Sequence, residues 1–251
     1  MTLARTGKTH AAAPIRTLKP APHRHPVWLF DLDDTLHDAS AASMRELHVS
    51  MGEYIVQHLG LSAAESDALR RKYWLRYGAT LLGLMRHHQV QSAHFLHHTH
   101  LLPGLEQRVR GDKADLALLA RLPGRKLILT NAPRAYALRV LQVLGIGRHF
   151  DGLISIEDMH MFGHLRPKPD ARMFRRLAVK LGVPASRCVL VEDTLVHQKA
   201  ARSVGMATVW MQRWLQGSVS AALRSRRLRR PAYVGRRVHG LLPLVRSSVR
   251  R

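Results

Sequence analysis

Apolar residues along this chain follow two spacings in turn. Some form short unbroken runs of four or five, and others recur every third or fourth position. The first run, Val27-Trp28-Leu29-Phe30, reads as a strand buried on both faces, as in a parallel sheet. After His37 the spacing turns helical. Asp38 or Ser40 can cap a segment carrying Met44, Leu47, Met51, Ile55 and Leu59, and Gly60 closes it. Ser62-Ala63-Ala64-Glu65 has the form of a capping box and opens a second helix running to about Tyr77. Shorter helical pieces follow at Thr80–His88 and Ser92–His98, and Leu102-Pro103-Gly104 breaks the run.

From Asp112 the two spacings alternate. Helices are expected at Asp112–Leu122, Pro133–Leu144, Asp170–Leu181 and Leu195–Val204, and strands at Lys126–Thr130, Leu153–Ile156, Cys188–Val191 and Ala207–Met211. Such alternation predicts an α/β fold: a doubly wound parallel sheet, with a helical cap inserted after the first strand. The expected units are a disordered basic arm at 1–26, a core made of 27–37 and 111–215, a cap at 38–110 and a basic extension at 216–251. In that extension Ala222–Arg230 reads as an Arg-rich helix or coil, Pro231–Val234 as an edge strand and the last dozen residues as loosely held.

Charge changes the picture less than its total suggests. The 251 residues carry 40 Lys and Arg against 17 Asp and Glu, a net of +23. All the acids lie between Asp31 and Asp193, so that middle stretch is only +5 while the two ends hold +18. Nucleic-acid binding through the ends is therefore weighed, and a solvated basic tail is the preferred reading. The apolar runs are far shorter than the roughly twenty residues of a membrane helix, so no membrane role is expected. No charged segment followed by an apolar core opens the chain, although the Arg-bearing, acid-free arm leaves a transit peptide open. The single cysteine, Cys188, sits in an apolar run and reads as a buried inert thiol, which fits a reducing, cytoplasmic setting.

The chemistry gathers at strand ends. Asp31, Asp33 and Asp34 follow the first run directly. Carboxylates that close raise one another's pKa and call for a lysine or a cation, for which the hard ion Mg²⁺ is the natural choice. The carboxyl end of a parallel strand is also where open α/β sheets place their sites. The plainer alternative is a strand followed by an Asp-rich turn. Three other stretches bear on the choice. Thr130 and Asn131 end an apolar run just before a helix, which suits an anion. Glu192 and Asp193 end another, and Lys168 stands between Pro167 and Pro169, which fix its backbone.

Taken together and in order, these residues resemble the four motifs of the haloacid dehalogenase superfamily: Asp31-x-Asp33-x-Thr35, then Thr130, Lys168 and the Glu192-Asp193 pair. The resemblance spans about Val27 to Met211 and implies a phosphohydrolase. It implies that Asp31 is the nucleophile and Asp33 the general acid and base, with Thr130 and the Asn131 amide on phosphate oxygens. It further implies that Lys168 neutralises phosphate and nucleophile, and that Mg²⁺ binds Asp31, the Asp33 carbonyl, Asp193 and Glu192. Asp33 favours phosphate esters, because the dehalogenase branch lacks a second aspartate. One departure is Thr194-Leu195-Val196-His197, where a further Asp or Asn is common; His197 leaves only a supporting hydrogen bond there.

Within the insertion, Tyr77–Met85, Phe95–His100 and Leu102–Glu106 look like the cap of pyrimidine 5′-nucleotidase-like members. That implies a small phosphorylated metabolite, a nucleoside monophosphate, with Tyr77 stacking on the base or merely packing in the cap. A sugar phosphate or phosphoglycolate is the alternative substrate. The histidines 87, 88, 94, 97, 98 and 100 lack an accompanying thiol and are read as cap-surface or cleft-edge residues. Trp28, Trp74, Trp210 and Trp214 are read as packing.

Overall fold

A computed structural model of the chain describes residues 25–215 and 230–248. All of the expected basic arm but His25 and Pro26, and all of Ala222–Arg230 but Arg230, lie outside the described residues.

Strand β1, Val27–Phe30, opens the fold. A π-helical turn at Ser40–Met44 then leads into helix α1, Arg45–Leu59, followed by α2, Ala63–Tyr77, α3, Thr80–His88, and α4, Ser92–Thr99. The short helices α5, Leu105–Arg108, and α6, Lys113–Ala117, return the chain to β2, Arg125–Leu129. Next come α7, Arg134–Leu144, and β3, Gly152–Ile154, then a small hairpin of β4, His160–Met161, and β5, His164–Leu165. Helix α8, Ala171–Lys180, β6, Cys188–Glu192, α9, Leu195–Ser203, and β7, Ala207–Met211, complete the alternation. Strand β8, Arg236–Val238, and helix α10, Leu242–Ser248, follow.

Among the described residues six strands form one sheet in the order β3-β2-β1-β6-β7-β8, with every neighbouring pair parallel. Strand β1 is central, Leu29 standing in register with Leu127 on one side and Leu190 on the other. Because the sheet is covered on both faces, β1 is apolar throughout. Trp28 and Phe30 join the cluster on one face, while Val27 and Leu29 join the other. Each such fully buried side chain contributes about 1.5–3 kcal/mol. The chain lays β2 and β3 to one side of β1 and β6 to β8 to the other, so the loops leaving β1 and β6 diverge and open a crevice at their carboxyl ends.

The helical insertion between β1 and β2 has its ends where local chemistry puts them. Asp38 accepts from the Ala41 N–H at 3.0 Å. Gly60 ends α1 at φ 67°, a left-handed cap that costs glycine least. Ser62 and Glu65 form the reciprocal capping box that opens α2. Helix α3 packs so tightly on α2 that a Cβ on Gly83 would fall 2.1 Å from Tyr73 Cγ.

Four expectations need correction. The edge strand is Arg236–Val238, not Pro231–Val234; Pro231 instead accepts the Val234 N–H in a turn. The described part of the chain end is packed, since α10 and the residue before it bury Leu241, Leu244 and Val245 against the sheet. The helix expected over Asp112–Leu122 is α-helical only for Lys113–Ala117 and tightens to 3-10 turns through Arg121. Trp28 and Trp210 are core residues, but Trp74 is 62% exposed. Cys188 is buried, and burial pushes its thiol up to about 11. Among the described residues no helix is long and apolar enough to cross a membrane.

Candidate active site

Asp31 extends the pairing of β1 by one residue, its N–H donating to the Val191 carbonyl at 2.9 Å. This carries its carboxylate over the crevice beside the end of β6. Lys168, in the loop before α8, is 1% exposed and donates from Nζ to Asp31 Oδ1 at 2.7 Å and to Glu192 Oε2 at 2.7 Å. Its backbone is held by the Asn131 amide, which donates to the Lys168 carbonyl at 2.9 Å and accepts the Lys168 N–H at 3.0 Å. Asn131 thus ties the end of β2 to the lysine loop through its side chain, a function its sequence position did not reveal.

The electrostatics follow from this packing. Burial alone would push Lys168 down, but Asp31 and Glu192 outweigh it and hold the ammonium above the ordinary lysine range. Burial would raise Glu192, yet Lys168 and His197 keep it well below the usual carboxylate range. Asp31 is raised well above that range by burial and by Glu192, with Lys168 offsetting only part. Asp193 is raised by burial, Glu192 and Asp31. His197 Nδ1 lies 3.1 Å from Glu192 Oε2. Ligand oxygens of Asp31, Glu192 and Asp193 all come within 4.8 Å of one another. Three hard oxygen donors, two of them raised by burial and then by neighbouring negative charge, fit a divalent cation such as Mg²⁺.

The other two aspartates after β1 have separate surroundings. Asp34, at φ 53°, turns away and accepts from the Ser40 N–H and hydroxyl at 2.8 and 2.6 Å, fixing the start of the insertion. Asp33 Oδ1 receives the Tyr136 hydroxyl at 2.8 Å and lies 2.9 Å from His37 Nε2. Burial works to raise Asp33, but His37, Tyr136 and the nearby His100 together leave it lowered. Thr130 is buried at the end of β2, its hydroxyl oxygen accepting the Ala132 N–H at 3.0 Å where α7 begins.

A cleft of about 910 Å³ lies between insertion and sheet. Asp33, Asn131, Thr194 and His197 line it from the sheet side, and Arg70, Arg71, Trp74, Phe95 and His100 line it from the insertion. Tyr77 is not among the lining residues; its hydroxyl pairs with His87 Nε2 at 2.6 Å. Trp74, three residues earlier, takes the cleft position expected for Tyr77. Arg70 and Trp74 share one helix face, an i, i+4 spacing legible in the sequence. Burial pushes the cleft-lining His100 down to about 4, opposed in part by Asp33. His94 Nδ1 lies 2.8 Å from the Tyr54 hydroxyl and His88 Nε2 2.8 Å from that of Tyr73. His100, read as a cap-surface or cleft-edge histidine, lines the cleft; Arg70 and Trp74, which also line it, and Tyr136 and His37, which contact Asp33, were not singled out by motif reading.

Three comparisons bear on this arrangement. A family model described as haloacid dehalogenase-like hydrolase matches residues 27–205. Phosphate metabolism protein 8 of Saccharomyces cerevisiae is 26% identical over 195 residues, covering 73% of this chain and 60% of that protein. A plasmid-encoded phosphoglycolate phosphatase of Cupriavidus necator is 33% identical over 96 residues, 38% of this chain and 39% of that protein. The chain thus spans less than two thirds of the length of both relatives. A crystal structure described as a HAD phosphatase from Thermococcus onnurineus superposes with a TM-score of 0.56 at 20% identity, covering 88% of this chain and 97% of that one, which is a likeness of fold.

Proposed function

The chain belongs to the haloacid dehalogenase-like hydrolase family, and on that premise we propose that it hydrolyses phosphate monoesters through an aspartyl-phosphate on Asp31. The observation carrying this reading is the Lys168 ammonium, 2.7 Å from carboxylates at the ends of two neighbouring strands. A buried lysine so placed offsets part of the cost of ionising Asp31 beside Glu192 and offers positive charge to an incoming phosphoryl group.

An oxygen of Asp31 attacks phosphorus, the ester P–O bond breaks, and Asp33 protonates the departing alkoxide. Asp33 then takes a proton from the water that attacks the aspartyl-phosphate, which releases phosphate and restores Asp31. Hydrogen bonds to Asp33 lower its proton affinity in the free protein. A phosphoryl dianion beside it acts the opposite way and favours the protonated acid. The Thr130 hydroxyl and the Asn131 N–H hold phosphate oxygens, while the Asn131 side chain fixes Lys168. Asp31, Asp193, Glu192 and the Asp33 carbonyl would hold Mg²⁺. When bound, the ion offsets the phosphate charge that repels an anionic nucleophile.

The helical insertion acts as a cap, and the substrate is a nucleoside monophosphate. Supporting this are the cleft's volume, well above that of a two-carbon phosphate ester, and its exposed Trp74 with Arg70 alongside. A small ester such as phosphoglycolate is the second reading, supported by the name of the Cupriavidus necator relative. Phosphate release from a panel of monophosphates, with and without EDTA, tests both readings. The account expects activity on nucleotides that EDTA abolishes and that Asp31→Asn lacks. Full activity of Asp31→Asn defeats the mechanism, and a higher kcat/KM for phosphoglycolate than for any nucleotide defeats the substrate class.

A further inference from the structure

Asp33 is held from one side only. Tyr136 and His37 reach it from different parts of the chain, the first from α7 and the second from the turn after β1. Both contacts, at 2.8 and 2.9 Å, end on the same oxygen, Oδ1. Among the described residues no hydrogen bond reaches Oδ2, and Asp33 lines the cleft.

Tyr136 is itself buried and bonded. Its hydroxyl lies 2.9 Å from Ser43 Oγ in the turn that opens the insertion. A phenol has one proton to give, and this one goes to Asp33. With that proton given to Asp33, the Tyr136 oxygen can only accept from Ser43, whose single proton is shared with the Ala39 carbonyl 3.3 Å away. His37 is fully buried against the same oxygen and cannot swing away without leaving its Nε2 unpaired.

We infer that Tyr136, together with His37, is a positioning residue that pins Oδ1 of Asp33 and leaves Oδ2 facing the cleft as the oxygen that gives its proton to the leaving group. The inference rests on the phosphatase reading above. A carboxylate turns easily about its last bond, and its two oxygens are otherwise equivalent. Two donors on Oδ1 remove that equivalence, so the free oxygen and its proton point where the ester oxygen departs, which is the benefit of a fixed catalytic geometry. The Tyr136 ring supplies packing and its hydroxyl supplies orientation, and one variant separates the two.

Tyr136→Phe keeps the ring and deletes the hydroxyl. The discriminating readout is leaving-group dependence. An alkoxide needs a proton to depart, whereas p-nitrophenolate leaves without one. With enzyme in excess, single-turnover release of the alcohol reports the first step alone, free of the later role of Asp33 toward water. The expected result is a loss of about 10- to 100-fold on a nucleoside monophosphate, smaller than the roughly 10²- to 10⁴-fold a general acid supplies because Asp33 itself remains. On p-nitrophenyl phosphate the change should stay under about threefold, with the melting temperature of the variant close to that of the parent. Equal losses on both esters, or no loss on either, overturn the inference and return Tyr136 to a packing role. A parent protein inactive on both esters defeats the phosphatase reading itself, an outcome distinct from either.

Discussion

Replacing Lys168 by Met removes one charge from the most crowded part of the molecule and nearly preserves its volume. At 2.7 Å each of its two contacts is worth about 6 kcal/mol of attraction at an effective dielectric constant of about 20. Desolvating an ammonium and two carboxylates cancels much of that gain, at several kcal/mol per buried ion. What remains after truncation is the cost of leaving partners buried without a counter-charge, about 3–5 kcal/mol. Glu192 bears most of it, because Lys168 is the largest influence holding its carboxylate ionised against burial. Urea denaturation in EDTA should therefore show Lys168→Met less stable by about that amount. Millimolar Mg²⁺ should recover part of the loss by giving Asp31, Glu192 and Asp193 another cation. Turnover should fall by at least about a hundredfold, as for loss of a charge-stabilising donor. A variant that unfolds at the parent's denaturant concentration in EDTA and still turns over normally refutes the reasoning, because the buried lysine would then be neutralising nothing.

Three further outcomes follow from particular contacts. Gly83→Ala drives a methyl group into the Tyr73 ring and should lower stability by about 1–3 kcal/mol, read as a shift of the melting transition, whereas an unchanged transition means that α3 does not sit against α2 as described. Asp170 caps α8 through the Arg172 N–H, and its removal in Asp170→Ala should cost about 1 kcal/mol near neutral pH. Burial works to raise Asp170, but Arg172 and Arg166 bring it down to about 2. Because the folded value is depressed, the charge-dependent share of its stabilisation is complete above the ordinary aspartate value and is lost as pH falls toward about 2; a gap between parent and variant that instead widens on acidification contradicts this. Trp74→Ala should raise KM for nucleoside monophosphates about tenfold with kcat little changed, and an unchanged KM removes Trp74 from substrate binding.

The parallel sheet was legible because its strands are buried on both faces. Unbroken runs such as Val27–Phe30 and Cys188–Val191 have few other uses, and the glycines at 60, 145 and 182 mark helix ends by their positive φ. Strand β8 was not legible. It is three residues long at a sheet edge, with Arg236 and Arg237 exposed and only Val238 buried, so it carries no apolar run to read. The β4–β5 hairpin escaped for a similar reason: Phe162 and Gly163 both take positive φ at its tip, where Asn-Gly is the usual signal. At the site, residues that follow a strand directly could be ranked by chemistry alone. The convergence of His37 and Tyr136 on one oxygen of Asp33 could not, because 103 positions separate the tyrosine from its partner and only the folded sheet brings them together. Trp74 and Tyr77 sit on one helix three residues apart, and the side facing the cleft depends on how α2 leans on its neighbours, which apolar spacing does not encode.

The central claim is that Asp31 becomes covalently phosphorylated in a crevice shared with Lys168 and Asp193. Incubating the protein with a ³²P-labelled monoester, quenching in acid and mapping the label to a peptide measures this directly. The account predicts label on Asp31 that disappears in Asp31→Asn. Turnover that proceeds with no covalent label, or with label on a different residue, contradicts it.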